Sequence, residues 1–87
     1  MRARLWVKAH TREEARAFLY TRLELMAAER FQETPRFQPE EYVVDVECEQ
    51  EEIEAWYAAG RGDRDALLKD RKKTMPHGSL LYWKVLQ

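Results

Sequence analysis

The sequence predicts an α+β sandwich, and three observations predict it. Residues 2–10 (RARLWVKAH) and 41–49 (EYVVDVECE) alternate apolar and polar side chains with the period of two that a half-buried strand requires. Residues 12–33 contain neither Gly nor Pro, are rich in Ala, Leu, Glu and Arg, and repeat their apolar positions at helical spacing. A second helical stretch and a last apolar strand follow, so the elements run strand, helix, possible short strand, strand, broken helix, strand.

The first strand sets Ala3, Leu5, Val7 and Ala9 on one face and Arg4, Trp6, Lys8 and His10 on the other. The helix after it starts at Thr11. In TREE the Thr11 hydroxyl is placed to accept from the Glu14 N–H, and the Glu14 carboxylate to reach back, the two halves of a capping box. The pattern carries this helix to about Phe31, with Ala15, Leu19, Tyr20, Leu23, Met26, Ala27 and Phe31 as the core face. Phe18 and Leu25 form a second ridge, covered either by a loop or by a partner.

Two prolines in ETPRFQPEE exclude a helix there and suggest a turn or short edge strand around residues 36–38. In the next strand Tyr42, Val44, Val46 and Cys48 face one way, and Val43, Asp45, Glu47 and Glu49 the other. From Gln50 the period becomes helical, with Ile53, Trp56 and Tyr57 together and acids in the first turn, where the helix dipole favours them. Gly60 and Gly62 break this helix, Asp63 caps a second piece through Lys73, and MPHG turns the chain into SLLYWKVL. That last strand is apolar on both faces, with Leu81, Trp83 and Val85 on one and Leu80, Tyr82, Lys84 and Leu86 on the other.

A βαββαβ order of this kind predicts a ferredoxin-like sandwich with a short or missing second strand and helices on one sheet face. The expected sheet has the first and third strands parallel at its centre and the last strand beside the first. Arg4, Trp6 and Lys8 would then lie on an open face beside Asp45 and Glu47, where opposite charges contribute about 0.2 to 1 kcal/mol per pair.

Size and composition fit a single small domain over residues 1–87. The chain has 45% hydrophobic and 36% charged residues, enough apolar material for a core and too balanced a charge for disorder. One cysteine excludes an internal disulfide, and no signal peptide or run of 18 apolar residues is present, so a cytoplasmic protein without a membrane span is expected. Asn is absent while Arg and Glu abound, a balance compatible with a thermophile. The net charge of −1 hides an uneven distribution: residues 40–54 hold eight acids and no base, and the segments on either side are basic. Pairing between neighbouring strands accounts for that more simply than steering of a charged partner.

Motifs for chemistry are sparse. Cys48 lacks a CxxC partner and reads as a buried thiol. HGS at Ser79 has no nucleophile elbow, and AAGRGDRD lacks both the phosphate-loop Lys and the dinucleotide GxGxxG. Lys69, Arg71, Lys72 and Lys73 read as the basic end of a helix. His10 and His77 are the only histidines, and an antiparallel pairing of the first and last strands would bring them together, but two ligands do not make a metal site.

No catalytic, metal-ligating or cofactor-binding residue is therefore expected. The expected function is a non-catalytic protein-interaction or self-association module, a homodimer or larger homo-oligomer, using Arg4, Trp6, Lys8, His10, Tyr82 and Lys84, with Phe18 and Leu25 as a further contact ridge. One alternative is a small dimeric α+β-barrel-type enzyme or binding protein for a hydrophobic small molecule, its cavity lined by Trp6, His10, Tyr82 and His77. A weaker alternative is RNA or single-stranded DNA binding through the sheet aromatics and basic residues.

Overall fold

The computed structural model describes residues 1–23, 30–32, 40–59 and 73–86. In chain order these form β1 (Arg2–Lys8), α1 (Arg12–Leu23), β2 (Arg30–Gln32), β3 (Glu41–Glu47), α2 (Gln50–Ala59) and β4 (Leu80–Leu86). The strands make one sheet in the order β2-β3-β1-β4, antiparallel at every junction. The architecture is α+β, as expected.

One expectation about direction is corrected. β1 and β3 are the central pair, but they run antiparallel, with Arg2 opposite Glu47 and Lys8 opposite Glu41. Because β2 opposes β3 and β3 opposes β1, β2 runs in the same direction as β1 with β3 inserted between them. The end of β1 therefore meets the start of β3.

Alternation in β1 is realised as burial. Ala3, Leu5, Val7 and Ala9 are fully buried and pack with Val44, Val46 and Cys48 of the β3 segment, Ala15, Leu19 and Leu23 of α1, and Ile53 and Trp56 of α2. Both helices thus lie on one sheet face. Thr11 Oγ1 accepts from the Glu14 N–H at 3.1 Å, which is half of the expected box. Instead of returning to Thr11, the Glu14 carboxylate reaches one residue further and accepts the His10 N–H at 3.2 Å.

Other expectations for α1 change. Phe31 does not extend the helix, since Arg30–Gln32 pair with Asp45, Val44 and Val43 as β2, where ladder bonds to β3 outweigh helix propensity. Tyr20 is 51% exposed rather than part of the core face. Phe18 is half-buried against the core and lies against Gly78 in the loop before β4, so at this residue the ridge is covered by a loop of this chain. Leu25, Met26 and Ala27, the strand expected at residues 36–38 and the helix piece beginning at Asp63 lie outside the described residues, apart from a helical turn at Lys73 and Thr74.

The two-sided apolarity of the last strand has a local cause. Tyr82 opposes Trp6 but Leu80 opposes Val7, so one residue, Leu81, is extra at a bulge. Both leucines are completely buried, and past the bulge Leu80 joins the helix-side core together with half-buried Trp83. The faces read from strict alternation hold only from Tyr82 onward.

Candidate functional site

The sheet face opposite the helices is less open than the sequence suggested. Val43, Leu81 and Met75 are buried although they do not belong to the helix-side cluster. Lys8 is only 7% exposed, and its ammonium donates to the Met75 carbonyl at 2.7 Å. Asp45, 6% exposed, takes two bonds from Arg4, with Nε at 2.8 Å from Oδ1 and Nη2 at 3.2 Å from Oδ2. This bidentate pair raises the Arg4 guanidinium above its ordinary value, chiefly through the hydrogen bonds to Asp45. The expected cross-strand pairing of charge is therefore present at Arg4 and Asp45.

What remains accessible on this side gathers along β4. Trp6 is half-buried and meets Tyr82 edge-on, with ring centroids 5.1 Å apart. Tyr82 is 45% exposed and Lys84 exposed, while Val85, opposite Ala3 and so on the helix-side face of the same edge strand, is 52% exposed. Val43 is buried and adds no accessible apolar surface here, and Leu80 lies on the helix side. With Lys8 committed to a backbone carbonyl, nucleic-acid recognition by this face loses one of its cations.

A second group of side chains meets at the end of β1. The Gly78 N–H donates to the Lys8 carbonyl at 2.7 Å, and the Lys8 N–H donates to the Ser79 carbonyl at 3.0 Å, fixing the loop before β4 onto β1. Gly78 takes φ +95°, a conformation that favours glycine, and a Cβ there would crowd the Phe18 ring at 3.0 Å. Its carbonyl accepts from Trp56 Nε1 at 2.9 Å. Anchored in this way, the loop lays His77 on His10, with ring centroids 3.5 Å apart and planes 15° from parallel. The antiparallel pairing of β3 with β1 delivers Glu40 to the same place, and the Ala9 N–H donates to the Glu40 carbonyl at 3.2 Å.

Glu40 has φ 65°, a left-handed conformation that costs a non-glycine residue roughly 1 to 3 kcal/mol and commonly marks a functional position. Its Oε1 is 3.4 Å from His77 Nε2. That nitrogen is shielded from solvent, yet among the described residues no partner is aligned to hydrogen-bond it. Glu14 holds the other ring: His10 Nδ1 is 3.1 Å from Oε1 and 3.3 Å from Oε2. The His10 backbone N–H, followed by its ring, lowers the Glu14 carboxyl from its ordinary value, so this acceptor stays ionised. The Tyr42 hydroxyl donates to the His10 carbonyl at 3.4 Å.

One nitrogen from each imidazole and one oxygen of Glu40 lie within 4.8 Å of one another. Two imidazoles and a carboxylate are a donor set for a divalent transition ion. Cys48 takes no part: it is buried at the opposite end of β1, beside Met1, and burial, followed by the nearby Glu52 charge, pushes its thiol up to about 11. Among the described residues no helix is long and apolar enough to cross a membrane. No family model, curated protein or solved structure matches the chain.

Proposed function

We propose that this protein is a non-catalytic self-association module, built as a ferredoxin-like sandwich, that joins a second copy of itself through β4. The fold reading is supported by the strand order and by the antiparallel direction of every pair. The observation that carries the function is the character of the edge. β4 ends the sheet order and exposes Tyr82 and Val85, while Lys84 is its only charged residue. Edge strands that remain single usually carry several charges, a proline or a bulge along their length, whereas the bulge here lies at the buried start. An antiparallel pair of identical strands needs no second surface, because one edge serves both copies about a two-fold axis.

Sedimentation velocity across the micromolar range tests the reading. The expected result is a concentration-dependent dimer that Val85→Glu, at an exposed position, weakens at least tenfold. A monomer at every concentration rejects it. The alternative of a cavity for a hydrophobic small molecule draws on the contact of His10 with His77, and it predicts saturable binding of an apolar fluorophore that His10→Ala abolishes.

A further inference from the structure

We propose that His10, His77 and Glu40 form a binding site for a divalent transition-metal ion, with Zn²⁺ the best match to the donor set, and that Glu14 orients His10 within it. The site is separate from the β4 edge and stands or falls independently of self-association. Three segments far apart in the chain contribute one donor each, and the fold fixes all three by backbone bonds. The Lys8–Gly78 and Lys8–Ser79 bonds place His77, the bond from Ala9 to the Glu40 carbonyl places Glu40, and Glu14 holds His10 through both its N–H and its ring. One nitrogen of each imidazole and one oxygen of Glu40 already lie within 4.8 Å of one another. Ligands around a tetrahedral ion with bonds of about 2.0 to 2.2 Å stand roughly 3.5 Å apart, so the donors must draw closer, which the exposed His10 ring can do by rotating.

Three features favour an ion over an ordinary cluster of surface side chains. Among the described residues His77 Nε2 is closed off from solvent without an aligned partner, an arrangement that costs free energy unless the nitrogen bonds something. Glu40 is held in a left-handed conformation where it faces that nitrogen. Glu14 on His10 Nδ1 reproduces the carboxylate–histidine pairing found behind metal-bound imidazoles, and leaves Nε2 of His10 as the free donor.

The near-parallel stack of the rings is not the bound geometry, because in-plane lone pairs of parallel rings do not converge on one point. His10 must swing out of the stack. Its side chain is 60% exposed, which leaves room for that rotation, whereas His77 at 29% is the fixed ligand. Three protein donors leave the fourth tetrahedral position to water or to an external ligand.

Isothermal titration of the full chain with ZnCl₂, together with Co²⁺ absorption, tests the proposal. The expected result is one Zn²⁺ per chain, a Co²⁺ visible spectrum of four-coordinate intensity, and affinity reduced at least tenfold in each of His10→Ala, His77→Ala and Glu40→Gln. Glu14→Gln should weaken binding about tenfold by freeing the His10 ring while leaving the stoichiometry at one. Because His10 is exposed, His10→Ala should keep the fold, as circular dichroism would verify, so its result stands even if His77→Ala unfolds. Absence of saturable binding at 100 micromolar Zn²⁺, or binding that His10→Ala leaves unchanged in a folded protein, overturns the proposal.

Discussion

The two faces of β1 are both largely buried, but by different means. On the helix side Ala3, Leu5, Val7 and Ala9 are covered entirely by apolar neighbours. On the other side Arg4 is tied to Asp45 and Lys8 to the Met75 carbonyl. The first face is held by non-directional contact and tolerates changes in shape better than loss of volume. The second depends on specific partners, since each buried charge is expensive once its partner is removed. A polar residue in an alternating strand therefore marks the face away from the helices, but it does not mark a surface.

Substitutions on the two faces should separate these mechanisms. Leu5→Ala removes a fully buried side chain from the centre of the apolar face and is expected to cost about 3 to 4 kcal/mol in chemical denaturation. Arg4→Ala leaves Asp45 buried without its bidentate partner, and the expected loss is about 2 to 3 kcal/mol. Replacing both charges with apolar residues, Arg4→Met with Asp45→Leu, should recover most of that loss, to within about 1 kcal/mol of the parent. If the double variant is as unstable as Arg4→Ala, the pair stabilises the fold on its own account and the contrast between the faces fails.

A smaller effect is expected at Cys48. Because its thiol is raised in the folded chain, the neutral form is favoured there, so its contribution to stability is complete below about 9 and declines as pH climbs towards about 11. Thiol alkylation at pH 8 should run roughly 100-fold slower than in the unfolded chain, in proportion to the thiolate available. Equal rates in the folded and urea-unfolded chain would show that Cys48 is not shielded.

Much of this arrangement was legible in the sequence. The alternation in residues 2–8 and 41–47 marked the faces of β1 and β3, Thr11 marked the helix start, and strand adjacency placed Arg4, Trp6 and Lys8 on one face with Asp45 and Glu47, while the register that pairs Arg4 with Asp45 came from the antiparallel direction. Alternation specifies which side a residue faces but not which way a strand runs. Taking β1 and β3 as parallel would place Glu40 at the far end of the sheet from His10. That single error of direction hid the third donor, although the meeting of His10 with His77 was readable from the antiparallel β1–β4 pair.

Other features left a weaker trace. The Leu80–Leu81 doublet is the only sign of the bulge, and it resembles an ordinary apolar run. Nothing near Lys8 in sequence indicates a partner 67 residues away, and a backbone carbonyl has no residue type by which to be recognised. For Phe31, composition favoured the helix while the partner strand decided otherwise, since β pairing depends on what lies alongside.

The pairing of β4 with a second copy is tested most directly by amide hydrogen exchange along residues 80–86 at low and high protein concentration. Beyond the buried Leu80 and Leu81, the β4 amides not bonded to β1 should exchange freely in the dilute protein and become protected as concentration rises, while the amides of β1 and β3 keep the same protection throughout. Exchange along β4 that does not change with concentration would contradict the account.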